Sequence, residues 1–63
     1  MTTQMIIDKL QTVLTALEAA ELMAVRAGAF DIESVISTAR GAAAELAELT
    51  REAAAVRVAT GQP

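Results

Sequence analysis

The sequence predicts an all-α fold: an antiparallel, coiled-coil-like helix-turn-helix hairpin that completes a four-helix bundle by homodimerisation. Three observations predict it. Apolar residues recur at alternating spacings of three and four along two long stretches, the pattern of a coiled-coil seam. One short break containing glycine separates the stretches, and so short a connection makes two helices antiparallel neighbours. Hydrophobic residues make up 54% of the 63-residue chain, but 15 residues are alanine, so one copy has little with which to build a core of its own.

The chain reads as a single unit, 1–63. Helix 1 is predicted over about 3–27, with the apolar row Ile6, Leu10, Val13, Leu17, Ala20, Ala24 and Ala27. The turn is assigned to 28–31, Gly28-Ala29-Phe30-Asp31. Gly28 suits the left-handed position just past a helix end. Asp31 has the chemistry of an N-cap, and Glu33 in the following turn complements the helix dipole. Phe30 before that cap and Val35 four residues after it have the spacing of a hydrophobic staple. Helix 2 is predicted over about 32–59, with the row Ile32, Val35, Ala39, Ala42, Leu46, Leu49, Ala53 and Val56. Residues 60–63, with Gly61-Gln62-Pro63, read as a frayed tail.

Facing residues of an antiparallel hairpin have numbers with a constant sum. A sum of 59 pairs Ala27 with Ile32, Ala24 with Val35, Ala20 with Ala39, Leu17 with Ala42, Val13 with Leu46, Leu10 with Leu49 and Ile6 with Ala53, so every layer is apolar on both sides. The same register places Arg26 near Glu33, Asp8 near Arg51 and Glu18 near Arg40. Exposed pairs of this kind contribute about 0–1 kcal/mol each and serve here as evidence of register.

The two flanks of this seam differ. One carries Lys9 with Glu52, Ala16 with Glu45 and Met23 with Thr38 and is mostly polar. The other pairs Ile7 with Thr50, Leu14 with Ala43 and Glu21 with Ile36. That second flank, Ile7, Leu14, Glu21, Ile36 and Ala43, is the predicted self-association surface, uncovered in a lone hairpin. Glu21 there either reaches solvent along its own stem or pins the register of the bundle. Small residues near the turn predict a narrow end, and Leu10, Val13, Leu46 and Leu49 a wide one. Leu22, Met23, Val25 and Phe30 cluster near the turn as a candidate patch for another protein partner.

Composition narrows the function. The chain has no His, Cys, Trp or Tyr, which excludes disulfides, thiol nucleophiles, Cys/His zinc sites and the commonest general base. Ser34, Ser37, Thr38 and Thr50 have no basic residue to activate them. Glu18-x-x-Glu21 and Glu45-x-x-Glu48 have helical carboxylate spacing, but ferritin-type bundles supply Glu-x-x-His. A solvated face with pairs such as Glu48 and Arg51 is the better reading, so no catalytic residue, metal or cofactor is expected. Five basic against eight acidic residues, a net charge of −3, argue against nucleic-acid and anionic-membrane partners. Asp8, Lys9, Glu18, Glu21 and Arg26 interrupt helix 1, so no membrane span is expected. The start, Met1-Thr2-Thr3-Gln4, lacks the basic region of a secretory signal. A cytoplasmic protein, or part of a larger particle, follows as the expectation.

A 63-residue helical hairpin that dimerises resembles the plasmid-copy-number Rop proteins, small RNA-binding four-helix bundles. That resemblance implies an RNA-binding regulatory bundle, but helix 1 carries Leu10, Leu14, Glu18, Val25 and a single lysine where that family uses basic and amide residues with an aromatic. The turn region, Leu17-Glu18 through Ala27-Gly28-Ala29-Phe30-Asp31 to Val35-Ile36, is similar to the helical hairpin of flagellar export chaperones, which implies a chaperone-like hairpin. The residues themselves favour a non-catalytic, self-associating module that acts as an adaptor or minor component of a larger complex.

Overall fold

Helix α1 begins where a threonine can close it. In the computed structural model, which describes residues 2–61, Thr2 is extended (φ −97°, ψ 158°) and its Oγ1 accepts the Met5 N–H at 3.2 Å. That satisfies one of the free amide donors of the first turn. α1 then runs over Thr3–Arg26 without Pro or Gly.

The end of α1 follows from Gly28, whose φ of +72° needs a residue without a β-carbon. The Gly28 N–H donates to the Val25 carbonyl at 3.0 Å and the Ala29 N–H to the Ala24 carbonyl at 2.9 Å. These two bonds form a Schellman motif. Its companion apolar contact falls to Ala24 and Ala29, which face the helix interface.

α2 spans Phe30–Thr60, starting two residues before the predicted position. Asp31 is therefore not the cap. The Schellman motif already turns Ala29 back toward α1, and the Ala29 carbonyl accepts the Glu33 N–H at 2.9 Å, so Phe30 is helical. Ala29 provides no side-chain cap, and Asp31 and Glu33 instead sit in the first turn, where their negative charge interacts favourably with the positive end of the helix dipole. Phe30, being inside the helix, does not precede a cap as a staple requires. At the far end Gly61 adopts φ +74° and closes α2, with Thr60 still helical; Gln62 and Pro63 of the predicted tail lie outside the described residues.

The two helices pack in a register that differs from the predicted one. On α1 the more protected positions include Thr3, Ile7, Leu10, Leu14, Leu17, Glu21 and Ala24. On α2 they include Ala29, Glu33, Ile36, Arg40, Ala43, Ala47, Thr50 and Ala54. Both rows alternate threes and fours, and facing members have numbers summing to 57. Ala24, 8% exposed, and Ala47, 1% exposed, are the most enclosed apolar residues described. The row predicted for α2, from Ile32 to Val56, is exposed throughout.

Hence Ile7, Leu14, Glu21, Ile36 and Ala43, predicted as an outward flank, close the hairpin instead. α2 is turned by one residue, 100°, from the predicted orientation. Side-chain volume accounts for the choice. The observed register sets Leu10 against Ala47, Leu14 against Ala43 and Ile7 against Thr50, a large side chain against a small one in each of these three layers, while Leu17 meets Arg40 and Glu21 meets Ile36 nearer the turn. The alternative would stack Leu10 on Leu49 and Val13 on Leu46 and hold the helices apart. The large-on-small layers let the backbones approach closely.

The result is a slab of 50 × 16 × 11 Å. α2 is longer than α1, and with Thr3 opposite Ala54 its residues 55–60 project past the start of α1. No described helix is long and apolar enough to cross a membrane.

Candidate functional site

The turn of α2 by one residue leaves a broad apolar face. Ile32, Val35, Leu46, Leu49 and Val56 are all more than half exposed. Ile6 and Val13 of α1 lie on the same side, because Ile6 with Ala53 and Val13 with Leu46 keep numbers summing to 59, one position round from the packed row. Ala20, Ala27, Ala39 and Ala42 continue the face toward the turn, and none of these positions carries a charge. Beyond them on α1 come Lys9, Ala16 and Met23, also exposed. An open, largely apolar depression of about 400 Å³, lined by Met5, Ile6, Lys9 and Leu10, sits at the end of the face away from the turn.

A compact folded chain of 6.5 kDa has about 3,800 Å² of accessible surface. The hairpin exposes 4658 Å². The excess, about 850 Å², comes from the elongated shape of the hairpin as a whole; each partner in a standard protein interface contributes roughly 800 Å². The flat side of the slab, 50 by 16 Å, is of the same size.

Among the described residues, one ion pair crosses the hairpin. Arg40 Nε lies 3.3 Å from Glu21 Oε1, and Arg40 Nη2 donates to Glu21 Oε2 at 3.5 Å. Their side chains are 39% and 20% exposed, and the Arg40 Nε–H is enclosed without an aligned acceptor. The sequence register pairs Arg40 with Glu18. Helix side chains lean toward the N-terminus of their own helix, so Arg40 tilts toward the turn and Glu21 away from it, and the two meet across one turn of offset. Glu21 thus neither runs to solvent nor lies on an outer flank: it pairs with Arg40, which stands opposite Leu17 in the register. Glu48 and Arg51 form the intrahelical pair that their spacing predicts, at 3.6 Å. Arg26–Glu33 and Asp8–Arg51 are not among the ion pairs of the described residues, since the turn of α2 displaces Glu33 into the packed row and Glu48 engages Arg51.

Leu22, Met23, Val25 and Phe30 are all exposed. At 100° per residue, Leu22 and Val25 lie on the side of α1 nearest Phe30, whereas Met23 turns toward the large apolar face. The hydroxyls of Thr38 and Thr50 donate to the carbonyls of Ser34 and Leu46 on their own helix, at 3.1 and 2.7 Å. Among the described residues no three acidic side chains converge.

Reading α2 as a single apolar row conceals the surface role of Ile32, Val35, Leu46, Leu49 and Val56. The signal that finds it is the presence of two adjacent heptad rows on α2. One is apolar and uncharged; the other holds small residues with Glu33, Arg40 and Thr50. No protein family, curated protein or solved structure matches the chain.

Proposed function

We propose that this chain is a non-catalytic assembly module that pairs with a second copy of itself into a four-helix bundle and serves as an adaptor or minor component of a larger complex. The single observation that carries this reading is the uncharged face running from Ile6 and Val13 across to Leu46, Leu49 and Val56. The broad side of the slab that carries it, 50 by 16 Å, is of the size that one partner contributes to a stable interface, and leaving it in water forfeits apolar burial. Leu22, Val25 and Phe30 lie off this face and remain free for a different protein partner.

The test is absolute mass by light scattering over a hundredfold dilution, with helicity followed by circular dichroism. A dimer that loses helicity as it dissociates is the expected result. A fully helical monomer at micromolar concentration refutes the proposal.

A further inference from the structure

The apolar face has a large-to-small pattern along its length, and we infer from it that the second copy lies antiparallel, with the two turns at opposite ends of the bundle. This inference rests on the self-association proposed above and supplies its geometry. Two identical helices related by a two-fold axis pair residues with a constant sum. For the exposed row of α2 a sum of 88 sets Ala42 against Leu46 of the second copy and Ala39 against its Leu49. The next layers are Val35 with Ala53 and Ile32 with Val56. The central layers repeat the large-on-small rule that closes the hairpin itself.

α1 gives an independent reading of the same axis. Its exposed positions pair best at a sum of 29: Val13 against Ala16, Lys9 against Ala20 and Ile6 against Met23. The axis then crosses α1 midway between Leu14 and Thr15. Across the hairpin, where facing residues sum to 57, that level corresponds to midway between Ala42 and Ala43, and the α2 row places the axis at Ala44. Two rows of unrelated sequence therefore place the axis within two residues of each other, about 2 Å along the helices.

A third feature fits the same arrangement. Met23, 69% exposed, falls on Ile6 of the second copy, where the depression of about 400 Å³ lined by Met5, Ile6, Lys9 and Leu10 receives it. The unbranched thioether suits an irregular hollow. Lys9 lays its stem on Ala20 and keeps its ammonium in water. With the turns at the same end, α1 instead faces α2 of the second copy. A two-fold axis along the helices keeps each residue at its own level, which brings Val13 beside Leu46 and Ala20 beside Ala39 of the second copy: crowding at one end and a gap at the other.

The experiment is pulsed dipolar distance measurement on the full chain, spin-labelled at Asp31→Cys in one sample and Glu45→Cys in another, with the mass of each verified. Asp31 lies about 13 residues from the axis, so antiparallel copies hold its labels about 40 Å apart. Glu45 lies next to the axis, and its labels stay within about 20 Å. Similar short distances at both sites overturn the antiparallel arrangement while leaving self-association intact. A monomeric mass with no dipolar coupling overturns the assembly itself. Met23→Asp is a second readout: it weakens the dimer at least about tenfold, because a charge enters an apolar hollow, while Leu22→Asp leaves it unchanged. Equal effects of the two substitutions also overturn the fit.

Discussion

Replacing Leu46 with alanine separates assembly from folding, because the two depend on different rows of α2. Leu46 is 52% exposed in the lone hairpin, so roughly half of its side chain remains to be covered. Full burial of a leucine side chain contributes about 1.5–3 kcal/mol, and covering the remaining half contributes about 1 kcal/mol. A two-fold dimer loses this twice, about 2 kcal/mol, which raises the dimer Kd about thirtyfold. The hairpin itself is not weakened, since alanine is the best helix former and Leu46 lies outside the row that faces α1. Sedimentation equilibrium over a dilution series gives Kd, and circular dichroism extrapolated to the monomer gives helicity. The expected result is a weaker dimer with unchanged monomer helicity. Leu14→Ala should act in the opposite way, lowering monomer helicity because Leu14 packs on Ala43. If Leu46→Ala leaves Kd unchanged while Leu14→Ala shifts Kd alone, the packed and free rows have been exchanged and the reasoning fails.

Three further outcomes follow from local geometry. Glu21→Ala strands the enclosed Arg40 Nε–H and should lower stability by about 1 kcal/mol, whereas Glu21→Leu with Arg40→Leu should be neutral or stabilising by removing both charges; equal losses in urea titrations would refute this. Gly28→Ala and Gly41→Ala should have opposite signs. An added β-carbon meets nothing within 4 Å at either position, but Gly28 has φ +72° and should lose about 1–2 kcal/mol, while Gly41, inside α2, should gain up to about 1 kcal/mol. Thermal unfolding reads both, and a stabilising Gly28→Ala would contradict the turn. Asp31→Ala should cost no more than about 0.5 kcal/mol, because Asp31 contributes only to the dipole of the first turn; a loss near the 1 kcal/mol typical of an N-cap would restore it as the cap.

The helices and the glycine turn were legible from sequence because local chemistry dictates them. Gly28 meets the need for a left-handed residue, and unbroken heptads flank it on both sides. The facing of α2 was less legible. Its rows beginning at Ile32 and at Ala29 both satisfy the heptad, and counting apolar residues favours the wrong one. The correct row is poorer in hydrophobicity and richer in small side chains, and it contains an arginine whose counter-ion is Glu21. Only volume matching layer by layer, Leu10 on Ala47 and Leu14 on Ala43, discriminates between them. The candidate site was misplaced for the same reason: residues that look most like a core from sequence form the exposed face.

The unequal helix lengths have a consequence for the time scale on which the chain opens. Residues 55–60 form fewer than two turns of helix without α1 beside them, and an isolated helix of that length is marginal in water. They are held by their own end chemistry: the Thr60 hydroxyl on the Val56 and Arg57 carbonyls at 3.0 and 3.2 Å, and the Gly61 N–H on the Val58 carbonyl at 3.2 Å. Amide hydrogens in this spur therefore exchange with solvent deuterium far faster than those around Ala24 and Ala47. A neighbour laid along it would slow that exchange, so the spur is a built-in gauge of occupancy, readable without touching a residue of the face.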